Sequence, residues 1–255
     1  MTTVFNNQRL QFLHIPKTGG VWVVTALRAA GIAKKRRGHE HATFDRAEIE
    51  DLTLDGSLPM RMAVIWARVL RKYHLLGKPR RSFCFVRHPL RWYESYWRYQ
   101  MDQGNLPWGY ENTACYWHPA SALNGTMSQD FNEFVSNVIS KAPGFFTSLY
   151  FAYAKPWVEY VGKTESLVDD LLFVLNAEKI SCDQTAIQNC RKANAARTRK
   201  PEWNKMLMEQ LILLELPSFL HFGYFSEEEC RQRELAGTFS LHNGLISKAE
   251  LTSES

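Results

Sequence analysis

No stretch of the chain approaches the ~18 consecutive apolar residues of a membrane-spanning helix. The first nine residues are polar, without the apolar core of a signal peptide. Together these absences give the expectation of a soluble, cytoplasmic protein with no membrane span. Cysteine is sparse: Cys84, Cys115, Cys182, Cys190 and Cys230 include no CxxC pair, which argues against a zinc ribbon, and their odd number fits reduced thiols. Cys182 and Cys190 can pair, but free thiols are the stronger expectation. Neither sign of charge dominates. The 31 Lys and Arg against 26 Asp and Glu leave a formal net charge of +5, a mild excess that suits an anionic ligand without implying nucleic acid. No internal repeat and no linker between domains is visible.

What the chain does have is enough apolar material for one sizeable core. Its 255 residues are 45% hydrophobic and 13% aromatic, which suits a single domain over residues 1–239 followed by a polar, flexible tail over 240–255. The organising stretch is Gln11-Phe12-Leu13-His14-Ile15-Pro16-Lys17-Thr18-Gly19-Gly20-Val21-Trp22. Leu10 to Ile15 reads as a strand, and Val21 to Ala30 as a buried helix. In such a strand–turn–helix the first N–H groups of the helix are free, Gly19 and Gly20 allow close approach, and Lys17 adds a full charge. A phosphate is the natural guest.

Residues 31–43 read as a polar loop holding the basic run Lys34 to Arg37 and then His39-Glu40-His41. The basic run is a solvated surface in the simplest account, with contact to an anionic acceptor as the rival. For the two histidines, metal ligation, a general-base role and plain surface exposure all remain open, although no further Cys/His cluster nearby in sequence completes a metal site. Short and long helices are expected at 47–52 and 59–76. A second buried strand follows at Ser82 to Val86. It ends at Arg87-His88-Pro89, with Pro89 opening a helix that carries Ser95. Open α/β sheets place ligands at such strand ends. An arginine there suits a second anionic group, whereas a P-loop kinase or NTPase needs an acidic residue near this position to hold Mg²⁺.

Residues 103–127 have no period and read as a long ordered loop. Asp130 with Glu133 marks a capped helix from Phe131 to Lys141. A short strand is expected at 157–162, then Lys163-Thr164-Glu165-Ser166 and a helix from Leu167 to Asn176, with Ser166 and Asp169 as its capping box. Glu165 can orient basic residues of a site, but a local salt bridge is the simpler account. A basic connector over 190–200 leads to a helix over 201–216, ended by Pro217, and a short acidic helix is expected over 227–235.

The Lys-Thr-Gly-Gly turn is not a Walker A sequence, because no glycine precedes the lysine; Ile15-Pro16 stands there instead. His14 to Gly20, Phe85-Val86-Arg87-His88-Pro89 with Ser95 and Tyr96, and Val161-Gly162-Lys163-Thr164-Glu165 together resemble the landmarks of sulfotransferases that use 3′-phosphoadenosine 5′-phosphosulfate (PAPS). The nearer likeness is to the carbohydrate-type group, which includes the heparan sulfate 2-O-sulfotransferases and many bacterial members. It spans roughly residues 10–224. The resemblance implies an α/β fold: a P-loop-like three-layer arrangement with a central, mainly parallel sheet flanked by helices.

The same resemblance implies roles by position. Lys17, Thr18, Gly19, Gly20, Val21 and Trp22 match the loop around the 5′-phosphosulfate. Arg87 and Ser95 match the pair that grips the 3′-phosphate. His41 matches the catalytic base and His39 its companion, with Lys17 as the third catalytic residue. Asn194 and the arginines after it lie where the family closes over the nucleotide. Many relatives carry a hydroxyl residue after the glycines; Val21 has none, so a phosphate contact falls to backbone N–H groups. The implied co-substrate is PAPS, the product 3′-phosphoadenosine 5′-phosphate (PAP), and the acceptor a carbohydrate hydroxyl, with no metal and no nucleic acid. Two rivals are a P-loop nucleotide-dependent kinase and a non-catalytic polyanion-binding protein using Lys34 to Arg37 and Arg197 to Lys200.

Overall fold

The computed structural model describes residues 2–5, 10–32, 35–37, 40–43, 81–104, 119–191, 197–226 and 228–229. The helices expected at 47–52 and 59–76, most of the 103–127 loop, most of the 227–235 helix and the 240–255 tail lie outside them, as do His39 and Asn194. Five strands form one open sheet: β1 (Thr2–Phe5), β2 (Leu10–Leu13), β3 (Lys35–Arg37), β4 (Arg81–Val86) and β5 (Tyr160–Lys163), in the order β3-β1-β2-β4-β5. β2, β4 and β5 are parallel, with Leu13 opposite Cys84 and Val86 opposite Lys163.

The sheet is mainly parallel, as expected: four of these five strands point one way and β1 alone runs against them. β1 pairs antiparallel with both β2 and β3. β3, at the edge of the sheet, lacks the apolar run by which a buried strand is recognised, because an edge strand is specified by its backbone ladder. The basic run expected to be loop is, from Lys35 to Arg37, that edge strand.

Helices cover both faces. In β4, Phe83 and Phe85 pack with Phe12 and Leu10 of β2 against α1 (Gly20–Ala29), α5 (Leu167–Ala177) and Ile187 of α6 (Gln184–Gln188). Cys84 and Val86, with Leu13, point to the other face. There they meet α2 (Pro89–Gln103), α3 (Phe131–Lys141), α4 (Phe145–Tyr153) and Leu211 of α7 (Lys205–Leu214). A strand apolar on both sides needs exactly this double cover, so alternate residues serve different helix layers. α8 (Leu216–His221) follows α7 with Pro217 in its first turn, so the proline that stops one helix opens the next.

Among the described residues, N-cap side chains hold the starts of α3, α6 and α7. The Asp130 carboxylate accepts from the Glu133 N–H at 2.8 Å, as the sequence pattern predicts. The Ser166/Asp169 box does not form. Ser166 instead donates to Asp170, whose carboxylate also accepts from the Lys163 N–H at 2.6 Å and so ties the end of β5 to α5. α4 escapes periodicity altogether, since Phe145–Tyr153 is apolar on nearly every side. Its first turn is capped from a distance: Glu215, buried beyond α7, accepts from the N–H groups of Phe146 and Thr147, the Thr147 hydroxyl and the Tyr93 hydroxyl. Cys84, Cys182 and Cys190 are unpaired, so the Cys182–Cys190 bridge is not made. Among the described residues no helix is long and apolar enough to cross a membrane.

Candidate anion site at the ends of the parallel strands

The register brings three loops side by side. Because Leu13 lies opposite Cys84 and Val86 opposite Lys163, the chain leaves β2, β4 and β5 at one edge of the sheet, where open α/β sheets hold ligands. The turn after β2, Pro16 to Gly19, is closed from within by the Thr18 hydroxyl, which donates to the Ile15 carbonyl at 2.9 Å. Thr18 is buried, so its side chain shapes the turn and does not face a ligand. Gly19 has φ +82° as N-cap of α1. Lys17 has φ +64°, a conformation that costs a non-glycine residue about 1–2 kcal/mol.

That backbone is gripped by its neighbours. The Trp92 indole donates to the Pro16 carbonyl at 2.7 Å, the Arg87 guanidinium to the Lys17 carbonyl at 3.3 Å, and the Thr164 hydroxyl shares its proton between the carbonyls of Val86 and Thr18. Each of the three parallel strands thus contributes to one turn. Within α1 the first intrahelical bond runs from Val23 N–H to the Gly19 carbonyl. Among the described residues, the N–H groups of Gly20, Val21 and Trp22 have no backbone acceptor. Val21 and Trp22 enter the site through those N–H groups alone. The Trp22 ring turns into the core and donates to the Cys190 carbonyl.

Arg87 begins where β4 ends, and the Tyr150 hydroxyl fixes its backbone by accepting from its N–H at 2.6 Å and donating to its carbonyl at 3.1 Å. Glu165 is expected to form a salt bridge, but it makes none among the described residues. It accepts from the His88 N–H and the Tyr224 hydroxyl, both at 3.1 Å, and so stitches the loops after β4 and β5 together. Ser95 lies two turns into α2. On that helix Trp92 precedes it by three positions and Tyr99 follows by four, so all three share a face. Trp92 touches the turn, and the Tyr99 ring carries the Lys17 ammonium 3.8 Å from its centroid. Ser95 therefore faces the same region, and its hydroxyl has no partner among the described residues.

Two cations are thus packed together. Burial above all, and next the charge of Arg87, bring the Lys17 ammonium down to about 8, with Asp102 pulling the other way. Burial likewise lowers the Arg87 guanidinium, which stays charged because its ordinary value is so high. Neither forms an ion pair with a carboxylate among the described residues. From the far end of α2, Asp102 accepts from the N–H groups of Arg197 and Thr198, both at 2.8 Å, and Arg98 donates to the Thr198 carbonyl at 2.6 Å. Arg197 and Thr198 are thereby pinned to the far end of α2.

At the foot of the turn, on its other flank, sits His41. Its Nδ1 lies 3.0 Å from the His14 carbonyl. A carbonyl only accepts, so Nδ1 carries a proton, and in the neutral ring the lone pair lies on Nε2. The Tyr153 hydroxyl donates to the His41 carbonyl. His14 itself is buried, its Nδ1 3.3 Å from Glu40 and its ring centroid 4.6 Å from that of His41. The hydrogen bond from His14 above all holds the Glu40 carboxyl well below its usual range. A Cβ on residue 20 would lie 1.9 Å from the His14 ring, so the second glycine of the turn exists at least partly to seat a histidine.

The fold gathers Lys17, the α1 N–H groups, Arg87 and the Ser95 face at one sheet edge, with His41 beside the same turn. His39 lies outside the described residues. Sequence reading missed His14, Glu40 and Tyr150 as parts of the site. Glu40 stands inside the His39-Glu40-His41 pattern, but 26 positions separate His14 from it and nothing local joins them. No protein-family model, curated protein or solved structure matches the chain.

Proposed function

We propose that this protein is a PAPS-dependent sulfotransferase with a P-loop-like site, acting on an acceptor hydroxyl of carbohydrate type. One observation carries the reading: Lys17 and Arg87 are two half-buried cations, adjacent to each other and to three free helix N–H groups, with no carboxylate paired to either among the described residues. Cations held together in this way favour a ligand with two separate anionic groups. In PAPS these are the 5′-phosphosulfate, for the turn and Lys17, and the 3′-phosphate, for Arg87 and Ser95.

Sulfuryl transfer has a loose, in-line transition state like phosphoryl transfer, so positioning and charge stabilisation dominate. The acceptor oxygen forms a bond to sulfur as the bond from sulfur to the 5′-phosphate oxygen breaks. The acceptor proton passes to Nε2 of His41, whose Nδ1–H is held by the His14 carbonyl, a general-base step worth about 10²–10⁴-fold. The electron pair of the breaking bond stays on the 5′-phosphate oxygen, where Lys17 and the α1 N–H groups stabilise it. PAP leaves.

The test is a calorimetric titration of the chain with PAP in EDTA, beside ATP and the Arg87→Ala variant. Metal-free binding of PAP that the variant loses, followed by transfer from PAPS to a carbohydrate panel, is the expected result. Preference for ATP with Mg²⁺ replaces the reading with a kinase. Salt-sensitive binding of polyanions that survives Lys17→Ala replaces it with a passive binder.

A further inference from the structure

The constellation at the foot of the turn has a chemistry of its own. His14, Glu40 and His41 each present one nitrogen or oxygen ligand atom, and these atoms all lie within 4.8 Å of one another. We propose that these three side chains form a binding site for a divalent cation of the zinc class, and that an ion held there switches transfer off.

One pair of the three already has the spacing that a bound ion requires. Two ligands about 2.0–2.1 Å from a tetrahedral ion stand roughly 3.3–3.4 Å apart, and His14 Nδ1 and Glu40 Oε1 are 3.3 Å apart. The ion takes the place of the proton that this pair shares without it. His41 already makes the contact that ligating imidazoles make with their other nitrogen, its Nδ1–H resting on a backbone carbonyl, so that in the neutral ring Nε2 is the nitrogen able to ligate. Both rings are held in place. The Phe12 ring stacks on His14 at 5.9 Å, Gly20 leaves room for it, and the Tyr153 hydroxyl anchors the His41 backbone. Two imidazoles and a carboxylate suit zinc, cobalt or a similar ion, and they leave at least one coordination position free.

The consequence for activity rests on the sulfotransferase reading. The lone pair that would receive the acceptor proton is the one His41 offers to the ion, so a filled site has no base.

The experiment is a titration of the untagged full chain with Co²⁺, followed by its visible absorption, and with Zn²⁺ in competition with a chromophoric chelator. Wild type is compared with Glu40→Gln and His41→Gln, each checked for folding by its urea midpoint. Glu40 is a largely exposed side chain, so its variant keeps the fold. One equivalent of Co²⁺ with a nitrogen/oxygen spectrum, lacking a thiolate charge-transfer band, and at least about tenfold weaker in each variant, is expected. Absence of such a band, a thiolate band in its place, or variants that titrate like wild type overturn the site. Transfer assays with added Zn²⁺ complete the set. Inhibition reversed by EDTA supports the whole proposal, whereas cation binding that leaves transfer untouched overturns the switch and removes His41 from its role as base. Failure to bind the cation removes the site and leaves that role as it was.

Discussion

Glu215 and the Lys17/Arg87 pair are charged groups taken out of water in opposite ways. Glu215 is fully buried and accepts four hydrogen bonds, from Tyr93, the Phe146 N–H and both the N–H and hydroxyl of Thr147. Nothing remains for a ligand to satisfy. It joins α2, the start of α4 and the end of α7 into one corner of the core. Lys17 and Arg87 stand beside each other at the sheet edge on a backbone with positive φ at the lysine, and their mutual repulsion lowers the lysine further than burial alone. A buried charge with every lone pair used is a structural rivet; adjacent like charges with no ion-pair partner among the described residues favour an anionic ligand.

Four changes sharpen or break this contrast. Glu215→Ala leaves four donors unpaired and is expected to cost about 3–5 kcal/mol of stability. A urea midpoint near that of wild type would mean that the corner does not depend on the carboxylate. Lys17→Ala is expected to lower transfer from PAPS by about 10²–10³-fold and to weaken PAP binding, with the urea midpoint unchanged or raised. Loss of folding instead would place the lysine with Glu215 among the structural groups.

The pH dependence of Lys17 should run in opposite directions for folding and for binding. Its folded value of about 8 lies below the ordinary 10.5, so between these the unfolded chain holds more protons and stability rises with pH. A bound anion raises the lysine again. PAP affinity is therefore level below pH 8 and falls by up to about tenfold per unit above it. Calorimetry in buffers of different ionisation enthalpy reads the proton taken up, and a flat profile through pH 9 would count against Lys17 as the phosphate ligand. Tyr150→Phe is the mildest change. It removes the hydroxyl that both accepts from and donates to the Arg87 backbone, for about 1–2 kcal/mol of stability and a several-fold loss in PAP affinity. An unchanged affinity would show that Arg87 needs no such anchor.

Much of this was legible in the residues. β2, the glycine turn and α1, then β4 and α2, follow one another within a few positions, so apolar runs, Gly19 and Pro89 mark them directly. Lys17 and Arg87 could be named because each closes such a local unit. The left-handed φ of Lys17 could not, since it depends on the carbonyl contacts of Arg87 and Trp92. Ser166 was assigned to Asp169, yet bonds to Asp170, because β5 supplies a competing N–H from Lys163.

The sequence by itself determined the alternation of buried strands with helices and the basic character of two strand ends, because hydrophobic periodicity and turn chemistry act over a few residues. Tertiary structure alone decided which strand lies beside which. That order sets Arg87 against Lys17, and chain packing brings Glu40 and His41 to His14 and Glu215 to α4. These are approaches between residues tens of positions apart, fixed by sheet register and by the filling of a shared core, and no local pattern encodes them.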